Sequence, residues 1–495
     1  MMRLTVIFRP CKAFSVSLTY TRKHNVIFAI IQDGSSFQVW DLYETNTMRR
    51  FILPILLFIV GLGIRVTAWS DLSPIPASQY LTIQTSTISR PACSLGESDA
   101  LPELELRLAQ EWLTASYPIT HPLQAPKYKK ISAWFPPALP WFLATLGAFF
   151  GVNQVSSLFL WLNIVCGSLI PPISSGIFSH LRVPLVPHLA FSFFLCCDPV
   201  LVFASLERGP GALGSTVALL VFFCCLPILS RGSSLASISA AFLIAASILI
   251  SSHSFLPMFF ILTRCLQALG STRSGWIPAT LLLLVFLNTL IPWHWKVISH
   301  QQGLVLLNSG LAGDFFLTTC NDTTNSNELN HFIKTFYSAD FEVLSSPNTS
   351  EAKRVRWLII ESLNRISKYP GLWLSRRSQA VSDSLFGNLV FWQKRHHNAG
   401  GVVLSCIVWS MPLLLLLAGI GLIRMNKTGQ PAKLLQLVMI GWAISLFLHA
   451  QGADLSGRLA LEPWLIILAA CGFMKTETHP LPPCSLINTH SRENC

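Results

Sequence analysis

The sequence predicts an all-α polytopic membrane protein. Of its 495 residues, 52% are hydrophobic and 12% are charged, and that charged share is about half the share in ordinary globular chains. Apolar runs close to the roughly 20 residues that cross a bilayer recur along the chain. The net charge of +12 is not concentrated in one basic patch. We therefore attribute it to cytosolic Lys and Arg and to attraction by anionic lipid, and we expect no nucleic-acid partner.

Residues 1–47 differ from the remainder because they are mixed in character, and their one apolar patch, at 26–31, is too short to span. The basic flank Met48-Arg49-Arg50 precedes an apolar run and looks like the natural beginning of a membrane protein. Our hypothesis is that residues 1–47 are a dispensable extension; the alternative is a genuine cytosolic arm. Detection of peptides from before Met48 in the native protein would exclude the hypothesis.

The apolar segments divide the chain into a transmembrane core at 48–298, a second external loop at 299–398, C-terminal membrane helices at 399–474 and a polar tail at 475–495. The expected helices cover residues 51–68, 137–150, 155–178, 183–197, 212–229, 235–250, 255–269, 276–293, 402–423, 434–449 and 459–473. A further helix is expected at 355–373, within the second external loop. Three proline sites are expected to break several of them: Pro171-Pro172, Pro184 and Pro257. The result is a bundle of about 10–12 transmembrane helices with two large external loops.

The order of the segments also constrains the topology. Arg49 and Arg50 place the start of the first helix in the cytosol, so residues 69–135 form the first external loop. Arg424, Lys427 and Lys433 place a later turn in the cytosol, which makes 299–398 external. Eight predicted segments precede that loop, yet this topology needs an odd number of crossings. At least one segment therefore does not cross the membrane fully.

The stretch 98–151 joins a carboxylate-rich amphipathic segment to a membrane helix that begins with a Pro-Pro pair. Leucines and one tryptophan recur there at helical spacing, and Glu103, Arg107 and Glu111 lie on another face. Such a helix lies on a membrane surface or against a helical bundle, and it does not span the membrane. We therefore expect its carboxylates near the lipid headgroups.

Four segments occur in an order that resembles the GT-C membrane glycosyltransferases, above all the bacterial relatives of dolichyl-phosphate-mannose protein mannosyltransferases and lipid A aminoarabinose transferases. The first is LRLAQEWLTASYPI with FPPALPWFLATLGAFFG, and the second is CDPVLVFASLERGPGAL. The third is IPWHWKVISHQQGLVLLNSGLAGDFF, and the fourth is SGRLALEPWLIILAACGF. The resemblance implies a GT-C-like bundle and an inverting transferase. Such an enzyme moves a sugar from a polyprenyl-phosphate donor to a lipid, glycan or protein acceptor on the non-cytosolic face.

The resemblance also implies site residues. The candidate catalytic carboxylates are Asp99, Glu103, Glu105 and Glu207, and the candidate ligands of the donor phosphate are Lys129, Lys130, Lys296 and Arg458. The choice among the carboxylates stays open, because the acidic position of the family falls at Leu101, two residues after Asp99, our first choice. The sequence also has Phe135 where the aminoarabinose transferases have Lys before Pro-Pro, and Lys296 where the family has Arg. The sequence neither requires nor excludes a divalent metal, and we assign no metal ligand.

Each of these residues also has a structural alternative. Asp99 is placed to cap a helix, Glu103 to pair with Arg107, Glu207 to form a surface pair with Arg208, and a lone basic residue to reach the headgroups by snorkelling. The alternative functions are a transporter or flippase, which predicts ionisable residues buried within helices, and a GT-C-fold protein that has lost activity. We expect a multi-pass protein of a bacterial inner membrane, and so of the cell envelope; the endoplasmic reticulum is the alternative.

Overall fold

The computed structural model describes part of residues 2–42 and most of the chain from residue 136 onward. The described ranges are 2–8, 14–21, 26–33, 36–42, 52–71, 111, 136–206, 211–271, 275–301, 310–320, 329–346, 348–386, 401–425, 430–449 and 456–474.

Four strands occupy the N-terminal part of the chain. They form one antiparallel sheet in the order β1-β2-β3-β4, with Met2 opposite Tyr20 and Ile27 opposite Leu42. The strands are β1 (Met2–Phe8), β2 (Phe14–Thr21), β3 (Val26–Asp33) and β4 (Ser36–Leu42). The short apolar patch at 26–31 lies in β3. Short runs rich in β-branched and aromatic residues favour strands over helices. The predicted elements did not include these strands.

From residue 52 onward, the described secondary structure is helical, which confirms the predicted helical fold class there. The helices of the first half are α1 (Leu53–Asp71), α2 (Ala138–Phe150), α3 (Val152–His180), α4 (Leu185–Cys197), α5 (Pro199–Leu206), α6 (Gly211–Arg231), α7 (Ser234–Ile250), α8 (Phe255–Gly270) and α9 (Trp276–Gln301). The second half contains α10 (Gly310–Leu317), α11 (Leu329–Phe336), α12 (Ser338–Ser345), α13 (Glu351–Lys368), α14 (Pro370–Phe386), α15 (Gly401–Met425), α16 (Gln430–His449) and α17 (Ser456–Cys471).

The main hydrophobic core lies between the long apolar helices. Helix α3 packs against α1, α4, α5 and α6, and α15 packs closely against α17. The core includes Phe178 from α3, Phe222 from α6 and Trp464 from α17, all fully buried. Phe222 and Trp464 meet edge to face with ring centroids 5.4 Å apart. This packing joins the first half of the chain to its last helix.

The prediction that Pro171-Pro172 breaks a helix is wrong, because α3 continues through both residues. Membrane helices tolerate proline where neighbouring helices and side-chain hydroxyls stabilise the altered backbone, and α3 is packed on several sides. Pro184 immediately precedes α4, and Pro257 falls in the first turn of α8, where a missing backbone N–H is tolerated. A 3₁₀ turn, Ser252–Ser254, separates α7 from α8.

Several described helices are long and apolar enough to cross a membrane. Four satisfy both length and composition, and a fifth span results if the bent pair α4 and α5 is counted as one. Helices α1, α2, α7, α8 and the second half of α15 are shorter apolar segments. The described structure is therefore that of a multi-pass membrane protein, while the expected total of about 10–12 spans stays a prediction.

Helices α10 to α14 fall within the predicted second external loop, and α10 to α13 have a core of their own, which includes Phe316, Phe332 and Leu358. The single helix expected at 355–373 is two helices, α13 and α14, with Tyr369 between them. Pro370 explains the break, because a residue that precedes proline disfavours helical backbone angles. Helix α14 then packs against α15, α16 and α17.

Candidate functional site

Most of the residues proposed from the sequence lie outside the described part of the chain. This holds for Asp99, Glu103, Glu105, Lys129, Lys130 and Glu207. In the stretch 98–135, only Glu111 is described, and it is buried. Lys296 and Arg458 are described, and they occupy different environments.

Asp198 marks the bend between α4 and α5, whose axes differ in direction by 40°. Its Oδ1 accepts hydrogen bonds from the backbone N–H groups of Val200, at 2.9 Å, and Leu201, at 3.1 Å. These bonds cap the start of α5. The side chain is 1% exposed, and its second oxygen, Oδ2, makes no hydrogen bond within the described residues. Helix α5 ends at Leu206, directly before Glu207.

Arg458 and Glu462 form a bidentate ion pair one turn apart on α17. Arg458 Nε donates to Glu462 Oε2 at 2.8 Å and Nη2 donates to Oε1 at 3.1 Å, and both side chains are 0% exposed. The same guanidinium donates to the carbonyl of Leu385 at the end of α14 and to Ser410 Oγ on α15. Arg458 therefore ties three helices together inside the protein.

Arg65 is a second fully buried arginine, and it lies within the apolar helix α1. Its Nε donates to Ser205 Oγ on α5 at 2.9 Å, and its Nη1 donates to the carbonyl of Gly61 at 3.1 Å. The contact between Arg65 and Ser205 leaves no room for a side chain at Gly167 on α3. A Cβ there would lie 1.9 Å from Ser205 Oγ and 2.8 Å from Arg65 Nε. Arg65 Nη2 has no hydrogen-bond partner among the described residues.

These charged residues belong to one electrostatic unit, which we call the buried charge cluster: Arg65, Asp198, Arg458 and Glu462. The Asp198 carboxylate interacts electrostatically with Glu462 and Arg458, and Arg65 interacts with Asp198. The two arginines lie near two acidic side chains, and opposite charges reduce the large free energy of burying an isolated charge. Such a cluster can fix the relative positions of helices, and it can hold a proton or an ionic group.

The cluster unites two segments that resemble the GT-C transferases. Asp198 belongs to CDPVLVFASLERGPGAL, and Arg458 and Glu462 belong to SGRLALEPWLIILAACGF. A hydrogen bond of 3.2 Å from Ser215 Oγ to the carbonyl of Leu459 connects α6 with α17 beside them. The two segments are therefore adjacent in space although more than 200 residues separate them.

Lys296 lies near the end of α9 and is half-buried. Its neighbours in the helix, Trp293 and Val297, pack against Ala352 and Val355 of α13. Lys296 therefore lies where the apolar bundle meets α13, whereas Arg458 is enclosed within the bundle.

Arg65, Asp198 and Glu462 were not among the site residues predicted from the sequence. One available signal was an arginine inside the apolar run 51–68, since an ionisable residue at membrane depth is costly and usually functional. A second was the spacing of four residues between Arg458 and Glu462, which suits a helical ion pair.

No group of three or more His, Cys, Asp or Glu side chains that could hold a metal ion occurs in the part of the chain that the structure describes. Comparison with known proteins found no family model and no curated protein that matches this chain.

Proposed function

We propose that this protein is an inverting membrane glycosyltransferase that takes a sugar from a polyprenyl-phosphate donor on the non-cytosolic face. One observation carries the proposal furthest: two segments that resemble such enzymes, remote in sequence, are joined through the buried charge cluster. In the predicted topology, the end of α1 and the start of α17 both face the non-cytosolic side. Arg65 and Arg458 lie toward those ends, on the side where a lipid-linked sugar would be presented.

In the proposed reaction, a carboxylate accepts the proton of the acceptor hydroxyl or amine. The acceptor atom attacks the anomeric carbon, the bond from that carbon to the phosphate oxygen breaks, and the polyprenyl phosphate leaves with both electrons. Attack opposite the leaving group inverts the anomeric configuration. Cationic side chains stabilise the charge that grows on the phosphate, and apolar helices accommodate the polyprenyl chain.

The contacts of the described residues suggest different roles for the two described cations. Arg458 would reach a phosphate only after leaving Glu462, Leu385 and Ser410. We therefore assign Arg458 mainly to positioning α17 against α14 and α15, and we keep Lys296 among the phosphate candidates. Asp198 caps α5, and α5 leads directly to Glu207, so the cluster would fix the helix that precedes this candidate base.

Transfer of radiolabelled sugar from a panel of polyprenyl-phosphate donors in membranes tests the proposal. The variants Asp99→Asn, Glu103→Gln, Glu105→Gln and Glu207→Gln are compared with Glu342→Gln, a control at an exposed carboxylate of α12. We expect one of the four to lose transfer at normal protein level, by roughly 10²–10⁴-fold, while the control retains it. If each of the four single variants retained transfer, none of these carboxylates would be the catalytic base.

A membrane transporter or flippase is the second candidate function, and the buried charge cluster is the observation that favours it. Four ionisable residues with at most 1% exposure lie within the helical bundle, as substrate and ion pathways require. Directional flux of a labelled lipid or solute into liposomes, without formation of a glycosylated product, would support this function over the enzyme.

A further inference from the structure

Helix α9 is the least covered of the full-length candidate spans. Only 17% of its apolar window is buried, compared with 44–61% for the other three. It packs against α7 and α8 on one side, and within the described ranges no other helix covers the remaining side of the span.

The open side forms one continuous stripe, which we call the α9 outer face. Apart from the adjacent pair Leu287 and Asn288, successive members are three or four residues apart, which is the spacing of a single helix face. They are Ile277, Thr280, Leu284, Leu287, Asn288, Ile291, Trp295 and Ile298, and each is exposed. None of these side chains is charged, so two such faces can approach without repulsion between like charges.

Asn288 distinguishes this face from a surface that only meets lipid. It lies at the middle of the span Trp276–Ile298, where no water satisfies polar groups. The adjacent Thr289 hydroxyl donates to the carbonyl of Val285 at 2.8 Å. The amide of Asn288, with two N–H donors and one acceptor, is exposed. A lipid chain offers it neither a donor nor an acceptor.

We propose that the α9 outer face binds the same face of a second copy of this chain, with the two Asn288 amides hydrogen-bonded to each other at the centre. A carboxamide is self-complementary, because the N–H of each copy can donate to the carbonyl of the other across a two-fold axis. Side-chain amides are known to join helices in membranes. The apolar members above and below Asn288 would pack on their own symmetry mates. This inference does not depend on the proposed function.

Oxidative cross-linking of the full chain in native membranes tests the geometry. The variant Leu284→Cys, one turn from Asn288 on the same face, keeps the amide and is compared with Ile440→Cys, a matched control at an exposed position in the middle of the span Pro431–Leu448 of α16. We expect a disulfide-linked dimer from Leu284→Cys, above the background of the native cysteines, and none from Ile440→Cys. Equal cross-linking of the two variants, or none from either, would overturn the proposal.

A second measurement tests the role of the amide without introducing cysteine. Dimerisation of fluorescently labelled chains is followed by energy transfer as the bilayer is diluted with lipid. We expect Asn288→Leu to weaken the dimer about tenfold, equivalent to about 1.4 kcal/mol, and Asn288→Gln to retain most of the affinity because it keeps the amide. A wild type that is monomeric at all dilutions, or an Asn288→Leu variant that dimerises as the wild type does, would contradict the proposal.

Discussion

At Glu462, a carboxylate with no exposure to solvent is held by Arg458 through two hydrogen bonds. If Glu462 is replaced by Gln, the guanidinium remains buried without its counter-charge. Loss of one partner of a buried pair typically destabilises a protein by about 3–5 kcal/mol. We therefore expect Glu462→Gln to lower the unfolding temperature strongly, measured by tryptophan fluorescence of the purified protein in detergent.

The matched control is Glu361→Gln, which breaks a pair with Arg365 in α13 at the same spacing of four residues. There the two side chains are 24% and 22% exposed, so we expect a loss of about 1 kcal/mol or less. Equal shifts of the unfolding temperature in the two variants would contradict the structural importance given to the buried pair.

Cys320, at the end of the region 310–320, provides a prediction about pH. Burial raises the pKa of its thiol from 9.0 to about 11, while the nearby Arg365 opposes the shift. The thiolate is the reactive form, so iodoacetamide at pH 8 should modify Cys320 very slowly in the folded protein and readily after unfolding. Peptide mass spectrometry measures the extent; rapid modification of the folded protein at pH 8 would contradict the burial of Cys320.

The same shift determines how stability depends on pH. The unfolded chain releases this proton near pH 9, whereas the folded protein retains it until about pH 11. The contribution of Cys320 to stability is therefore complete below pH 9 and is lost as the pH rises toward 11.

At the scale of the secondary-structure elements, the close contact of α15 with α17 depends on Gly421. A Cβ at this position would lie 1.9 Å from the carbonyl oxygen of Leu468, a backbone atom that cannot rotate away. We expect Gly421→Ala to destabilise the protein by about 1–3 kcal/mol or more through overpacking.

Gly419 is the matched control, because it lies on the same helix and a Cβ there would meet nothing within 4 Å. Gly419→Ala should be neutral or slightly stabilising, since alanine favours helix. The comparison is made by thermal unfolding of both variants in the same detergent, and a destabilisation of the same size in both would exclude the packing explanation.

The positions of the helices were largely predictable because apolar runs bounded by polar residues mark membrane segments directly. The expected segments 212–229 and 255–269 correspond to α6 and α8 within two residues at each end. Proline at 171 and 172 misled the prediction, since packing around α3 outweighs the local preference of proline. The strands of residues 2–42 were not predicted, because their short apolar runs stand out less from the surrounding residues than a membrane segment does.

The candidate site was far less predictable than the helices. Arg458 was among the predicted phosphate ligands, but its partner Glu462 and its burial depend on packing. Arg65, Asp198 and Glu462 come from three distant segments that meet only in the folded bundle. A single sequence does not show which distant segments meet in the folded protein. Only the resemblance to known transferases pointed to two of these three segments.

At the scale of the whole molecule, the predicted topology requires that at least one segment before residue 299 does not cross the membrane fully. Helix α2 fits this role, because its 13 residues reach only about 20 Å, compared with about 30 Å of hydrocarbon. It turns back at Gly151, whose φ of 87° lies in the left-handed region, and packs through Leu143 on Val155 and Phe159 of α3.

A short epitope inserted at Gly151 should therefore be accessible to an antibody from the non-cytosolic side of intact cells. The same epitope after Lys427 should be accessible only after permeabilisation, because this basic turn is expected in the cytosol. If the Gly151 epitope also requires permeabilisation, then α2 crosses the membrane and another segment must account for the odd number of crossings.

The most direct test of the proposed function is reconstitution of the purified protein in liposomes that contain a labelled polyprenyl-phosphate sugar and an acceptor. The label is followed both into product and across the bilayer. We predict transfer of the sugar to the acceptor with inverted anomeric configuration and without net transport of the intact lipid. Transport of the lipid with no glycosylated product, across the panel of donors, would contradict the glycosyltransferase and favour the transporter.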